Sequence, residues 1–410
     1  MNWREPFVAL LIAFAVAAVL TPVVARFARV AGAVDQPRGR GLAAGGTPLL
    51  GGIAIFVAVV VAVLVTIPDG LGAFQGPHDR LQAILLGALA ITAVGAIDDR
   101  FDLPWLAKLA GQAAAAWIPV SQGVVVANIT FPWLGAVQFG ALSEPLTILA
   151  FVVLMNVVNF SDGIDGLAGG VSMIAAIAMG IVAWDLGVNT QHASLLAGAT
   201  AGAALGFLVH NFHPARVFMG DTGALLLGYL LAAIAVEGSV KTNAVLALVV
   251  PFVVLALPML DTTFVVLKRL KAGTPIYSAD QNHFHHRLTR IGFSPRRTVL
   301  YLYVWAGTLA SVAVALRFVP YSDDRGNFDL AWTSVIVLIV LAALALSFYL
   351  VVVLEIVKLR GLDTARLRRI RPDATEQEID ADVAHLLETG EFDAVTGSWA
   401  VAPGDRERPD

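Results

Sequence analysis

Apolar runs of near bilayer-crossing length recur along most of this sequence, and they limit its fold more than any other feature. They are Phe7–Val24, Leu50–Ile67, Leu81–Ile97, Trp105–Val120, Pro145–Val158, Leu167–Leu186, Ala193–Val209, Thr222–Val236, Ala244–Leu267, Thr298–Phe318 and Leu330–Val357. In hydrocarbon a segment must satisfy its own backbone hydrogen bonds, so each run reads as a helix. The expected fold is an all-α polytopic membrane protein with about eleven transmembrane helices. Composition agrees, since 58% of the residues are hydrophobic and 14% are charged, against roughly 25% charged in a soluble domain. The chain has no cysteine, which excludes disulfides, thiolate nucleophiles, iron–sulfur clusters and cysteine zinc sites.

The basic residues sort by side. One set of loops holds Arg26, Arg29, Arg38 and Arg40, then Lys268, Arg269, Lys271, Arg287, Arg290, Arg296 and Arg297, then Lys358, Arg360, Arg366, Arg368, Arg369 and Arg371. The opposite loops hold only Arg80, Lys241 and Arg325. The positive-inside rule therefore puts the N-terminus outside and the C-terminus in the cytoplasm. The first run has no clearly placed small-residue cleavage site after it, so it reads as a retained helix. The outside loop Gly123–Leu142 has β-branched pieces around Pro132 and Gly135, the pattern of a small periplasmic hairpin. Residues 1–357 read as one transmembrane catalytic domain, and 358–410 as a cytoplasmic tail with a short helix near Thr375–Leu387 and a disordered remainder.

With that topology the unusual polar groups all face the cytoplasm. Asp98, Asp99 and Asp102 close the third run. The stretch Asn156–Gly170 carries Asn156, Asn159, Asp162 and Asp165, with Gly163 and Gly166 after the two acids. Asn211, His213, Arg216 and Asp221 lie between the seventh and eighth runs, and Asp280, His283, His285 and His286 between the ninth and tenth. A transporter places ionisable groups near the bilayer midplane; these sit at helix ends on one side, as in an enzyme working at the membrane surface.

Each cluster also has a structural reading. Asp98 and Asp99 can terminate a helix, although adjacent carboxylates repel and a divalent cation or a basic ligand stabilises both as anions. The Asp-Gly pairs can cap the following helix. Asp221 reads as the N-cap of its helix, which does not stop it ligating a metal. Lys108 reads equally as a snorkelling lysine or a phosphate contact. The histidines lack a well-placed fourth zinc ligand, and Asp261 reads as a buried structural acid. No Gly-rich phosphate loop of the nucleotide-binding kinds is present. Hard oxygen donors from several loops suit Mg²⁺ or Mn²⁺, and with amides, histidine and arginine they suggest phosphoryl transfer involving a lipid.

Four pieces, in order, resemble the polyprenyl-phosphate N-acetylhexosamine-1-phosphate transferases, the WecA- and TagO-like group with the more distant MraY. They are Gly95–Asp102, Asn156–Gly170, Asn211–Gly223 and Asp280–Arg287. The His-x-His-His pattern and eleven helices resemble the WecA side. The resemblance implies transfer of an N-acetylhexosamine 1-phosphate, most naturally GlcNAc-1-phosphate, from a UDP-sugar to a polyprenyl phosphate. UMP is released in this first membrane step of cell-envelope polysaccharide synthesis. It implies Asp98 and Asp99 beside the metal and the lipid phosphate, with Asp98 as candidate base, and Asp221 as the magnesium ligand. It places Asn159, Gly163, Ile164 and Asp165, with Asp162 beside them, in the loop that holds the uridine, and Phe218 on the uracil. Asn211, Lys108, His285 and His286, with His283 nearby, would lie by the pyrophosphate. It implies no nucleic-acid partner, allows a homodimer, and gives a bacterial inner-membrane protein. The same chemistry with another UDP-sugar, including the MraY substrate UDP-MurNAc-pentapeptide, is the nearest alternative. A lipid-phosphate or nucleotide-sugar transporter is the alternative from another class. One departure stands in the first inside loop: the family's Arg-Lys-x-His is missing, although Pro48, Gly51 and Gly52 remain. Arg38 or Arg40 would then stand in.

Overall fold

The computed structural model describes residues 4–35, 46–67, 80–131, 135–187, 190–239, 294–319, 329–353 and 375. The described helices are α1 (Arg4–Ala31), α2 (Gly51–Thr66), α3 (Arg80–Phe101), α4 (Trp105–Ser121), α5 (Ser143–Ser161), α6 (Leu167–Asp185), α7 (Gln191–Asn211), α8 (Gly220–Ser239), α9 (Pro295–Phe318) and α10 (Leu330–Val353). Among the described residues eight helices are long and apolar enough to cross a membrane, and α2 is a shorter apolar helix. Ten of the eleven apolar runs thus correspond to helices. The other, Ala244–Leu267, lies outside the described residues, as do Asp261, the histidine motif and the expected tail helix beyond Thr375.

The expected hairpin is present. β3 (Asn128–Phe131) pairs antiparallel with β4 (Gly135–Gln138), with Asn128 opposite Gln138 and Phe131 opposite Gly135. A second small ribbon was not legible in the sequence: β1 (Val34–Asp35) pairs antiparallel with β2 (Thr47–Pro48).

Helix α8 is the centre of the bundle. Leu225, Leu226, Leu227, Leu230 and Leu231 are fully buried, and so is Tyr229, whose hydroxyl donates to the Ile84 carbonyl at 3.0 Å. A helix apolar on every side can only sit inside other helices, and α2, α3, α5, α6 and α7 surround it. The most extensive helix pair is α1 with α7. On α1 the buried face is Ala9, Ala13, Ala17, Thr21, Ala25 and Ala28, a small residue every turn. On α7, Gly198, Gly202 and Gly206 repeat at the same spacing, and a Cβ on any of them would collide with the carbonyl of Pro6, Leu10 or Phe14 in turn. Small residues four apart let two membrane helices approach backbone to backbone. The opposite face of α1 exposes Val19, Val23, Phe27 and Val30.

Pro22 lies inside α1. It has no N–H to give to the carbonyl four residues earlier, that of Ala18. His210 supplies the donor from α7, with Nε2 at 2.8 Å from Ala18 O. Since the carbonyl only accepts, that nitrogen carries the proton. The contact fixes the last turn of α7 just before Asn211, which faces the cavity described next.

Candidate active site

The C-terminal ends of α3, α5 and α7 and the N-terminal ends of α6 and α8 meet around a cavity of about 360 Å³. Its walls are Asp35, Leu49, Asp99, Asn159, Asp162, Gly163, Ile164, Asp165, Asn211, Phe218, Gly220 and Asp221. That volume lies in the range of small-molecule sites. The structure thus brings together most of the residues singled out in the sequence. Asp98 and Lys108 stand beside Asp221 without lining the cavity themselves. His283, His285 and His286 lie outside the described residues, as do Arg38 and Arg40.

Helix α3 continues past the end of its apolar run because its two acids have partners. Asp98 is buried; its Oδ1 accepts the Leu103 N–H at 2.8 Å and its Oδ2 lies 2.7 Å from Lys108 Nζ. Asp99, one position on and therefore about 100° around the helix, faces α8. Its Oδ1 accepts the Asp221 N–H at 2.7 Å, and its Oδ2 accepts the Thr222 N–H at 3.2 Å and the Thr222 hydroxyl at 2.5 Å. The cap of α8 is thus a carboxylate from another helix, and Asp221, in the first turn, is held by it. This corrects the expectation that Asp221 caps α8 itself. Gly220 has φ +66° and stands against the Asp99 carboxylate, so a side chain there would be strained and would strike that acid.

Lys108 does not snorkel. It turns inward and bridges Asp98 and Asp221. Its direction is set one turn further along α4: Gln112, fully buried, receives a hydrogen bond from Asn156 Nδ2 at 2.6 Å, and the same amide donates to Val152 O at 2.8 Å. Asn156 therefore locks α4 to α5, while Asn159, one turn on, reaches the site and donates to Asp221 Oδ1 at 2.5 Å.

The other wall is made of two loops tied together. Asp165 Oδ2 accepts the Ala215 N–H at 3.0 Å and lies 2.8 Å from His213 Nδ1. Asn211 accepts the Gly166 N–H at 2.9 Å and donates to Val217 O at 2.9 Å. Below them, Gly51 and Gly52 of α2 donate to the carbonyls of Phe218 and Met219 at 3.1 and 3.2 Å, and Phe218 donates to Pro48 O at 2.9 Å. These links fix Phe218 on the cavity wall.

Asp162 differs from the other acids. Among the described residues its carboxylate has no hydrogen-bond donor, while burial, and then the negative charges of Asp221, Asp99 and Asp165, push its carboxyl up to about 8. Without a cation its carboxyl therefore keeps its proton up to about pH 8. No three carboxylate or imidazole groups converge on one point among the described residues. Asp221 and Asp162 still suit a hard divalent cation, because magnesium is commonly held by one or two carboxylates together with substrate phosphates.

Several wall and bracing residues escaped the sequence reading. Asp35 and Leu49 come from the β1–β2 ribbon, whose strands are only two residues long and carry no periodicity. Gln112 had a signal, since a glutamine inside an apolar run needs a buried partner. Tyr303 donates to the Gly166 carbonyl and Arg296 Nε donates to His213 O at 2.9 Å, both from α9.

Residues 81–239 match glycosyl transferase family 4. Over 312 residues the chain is 36% identical to a probable undecaprenyl-phosphate N-acetylglucosaminyl 1-phosphate transferase of Bacillus subtilis strain 168, covering 76% of this chain and 84% of the relative. It is 38% identical over 311 residues to a decaprenyl-phosphate N-acetylglucosaminephosphotransferase of Mycobacterium tuberculosis strain H37Rv, covering 70% and 76%. The undecaprenyl-phosphate alpha-N-acetylglucosaminyl 1-phosphate transferase of Escherichia coli K12 is 28% identical over 299 residues, covering 72% and 79%. With its acid-lined cavity at the helix ends and this similarity along most of its length, the chain belongs to glycosyl transferase family 4, alongside the polyprenyl-phosphate N-acetylglucosamine-1-phosphate transferases.

Proposed function

We propose that this protein transfers N-acetylglucosamine 1-phosphate from UDP-N-acetylglucosamine to a polyprenyl phosphate, giving UMP and a polyprenyl-pyrophosphate sugar. The observation that carries this is one cavity lined by Asp99, Asn159, Asp162, Asp165, Asn211, Phe218 and Asp221, with Asp98 and Lys108 beside Asp221 at the helix ends. The names of the relatives agree with it. A cavity this polar, at the rim of the bundle and not at its midplane, is poorly suited to alternating access.

The uridine fits the wall formed by Phe218, Ile164 and the amide of Asn159, and the diphosphate fits the side where Lys108 and Asp221 meet. Mg²⁺, or Mn²⁺ in its place, would be held by Asp221 and Asp162 together with donor phosphate oxygens. When bound, it neutralises charge on the pyrophosphate. Bringing an anionic acceptor to an anionic donor costs Coulomb energy, which Lys108 reduces at the transferring group. The acceptor oxygen attacks the donor's β-phosphorus, and the bond from that phosphorus to the bridging oxygen breaks. UMP leaves with the bridging oxygen. Asp98, buried beside Lys108, would orient the acceptor phosphate or take its proton. With donor labelled at the β-phosphorus, the label is expected in the lipid; label recovered as UDP refutes the mechanism.

The membrane placement belongs to the same proposal. Eleven crossings with the N-terminus outside put the cavity at the cytoplasmic face of a bacterial inner membrane. In support, α8 ends away from the cavity while α9 begins beside it, with Arg296 on His213, the polarity that eleven crossings require. A cysteine at Ser278 should label only from the cytoplasm and one at Asn327 only from outside; labelling of both from one side refutes the topology.

A further inference from the structure

Helix α9 lies beyond the stretch that matches the family, yet it reaches both loops that wall the cavity. The Tyr303 hydroxyl donates to the Gly166 carbonyl, and its ring packs where a Cβ on Gly170 would have to sit. Two turns earlier on the same helix face, Arg296 Nε donates to His213 O at 2.9 Å. The His213 ring in turn meets Asp165 at 2.8 Å. Gly166 is therefore gripped at both its backbone groups, the N–H by Asn211 of α7 at 2.9 Å and the C=O by α9. The face of α9 that carries these two side chains also holds buried Val299, Ala306 and Ala310, and α9 packs against α6. The grip is thus anchored in the helix bundle.

We infer that Tyr303 and Arg296 are positioning residues that hold the 162–166 and 212–219 loops in the shape that receives the nucleotide. The inference rests on the proposed assignment of the cavity to the UDP-sugar. A loop held before binding does not have to be ordered during it, so losing the grip weakens donor binding. Neither side chain bonds Asp98, Asp99, Lys108 or Asp221. The chemical step should therefore be spared, and the loss should appear in KM and not in kcat.

The test uses full-length Tyr303→Phe and Arg296→Gln in detergent or nanodiscs. Arg296 is exposed, so its variant reports even if Tyr303→Phe folds poorly. Hydrogen exchange is followed in peptides covering 160–170 and 211–219, with UMP affinity by calorimetry and steady-state kinetics with UDP-N-acetylglucosamine. The expected result is faster exchange in both loops, UMP affinity and KM weakened roughly five-fold for each hydrogen bond lost, and kcat within about two-fold. Unchanged exchange in both variants overturns the grip itself. Faster exchange with wild-type UMP affinity and KM overturns instead the assignment of the cavity to the nucleotide. A fall in kcat at constant KM would place these residues in the chemistry and overturn the positioning role.

Discussion

Asp99 offers a direct way to separate a structural acid from a metal ligand. Its carboxylate takes three hydrogen bonds from the first turn of α8, two from backbone N–H groups and one from the Thr222 hydroxyl. Replacing it with alanine removes an N-terminal cap, which costs about 1–2 kcal/mol. It also removes a negative charge from a helix N-terminus, about 0.3–1 kcal/mol, and more where partly buried. The two N–H groups face other protein groups, not bulk water, so the combined loss should be about 2 kcal/mol. These contributions overlap, because a lost cap and an unpaired N–H describe partly the same deficit. Asp99→Asn keeps one acceptor oxygen but turns a donor toward Thr222, so about half that loss is expected. Thermal unfolding in detergent with EDTA should rank wild type above Asp99→Asn and Asp99→Ala last. The ranking should persist with saturating Mg²⁺. If both variants match wild type in EDTA and fall behind only when Mg²⁺ is added, Asp99 is a ligand and the capping role is wrong.

The cap comes from Asp99, so Asp221→Asn should leave α8 and the fold intact while lowering turnover by at least about 10²-fold, the scale of losing a charge-stabilising group; near wild-type turnover at limiting Mg²⁺ would remove Asp221 from the site. Asp162 gives a pH dependence. Its ordinary carboxyl pKa near 4 is raised to about 8 in the fold, so between those values the folded state holds a proton that the unfolded chain has released. Stability in EDTA should therefore fall as pH rises through that window. Asp162→Asn should flatten the slope in melts taken from pH 5 to 8, and parallel slopes would refute the account.

Much of the fold was legible because lipid leaves the backbone so few choices. A run of apolar residues near twenty long has one solution, and ten of the eleven runs coincide with described helices, although α1 runs on past Val24 to Ala31. Ends were less legible. The apolar run Pro145–Val158 looked short for a crossing, yet α5 extends from Ser143 to Ser161, because Asn156 and Asn159 find partners on α4 and α8 and need not end the helix. The Gly198, Gly202, Gly206 ridge of α7 and the alanine ridge of α1 were visible as spacing, but spacing alone does not say which helix meets which. His210 is harder still, since its partner is a carbonyl freed by a proline 188 positions away.

The adjacent acids show why the site was only partly legible. From the sequence, Asp98 and Asp99 look like two like charges that need a divalent cation or a basic ligand. Neighbours on a helix point about 100° apart, and here they separate onto different partners: Asp98 meets the Lys108 ammonium and Asp99 meets the amides that open α8. The repulsion is relieved by geometry before any ligand arrives. Asp162, outside the spanning helices, has no donor among the described residues, and burial together with the surrounding acids pushes its carboxyl up to about 8. Composition and spacing identify which residues gather at a membrane surface. Which of them bind, and which hold the binders in place, depends on directions that only the packed helices set. Asp221 makes the point: its backbone is held by one acid, its side chain by Asn159 and Lys108, and it still faces the cavity.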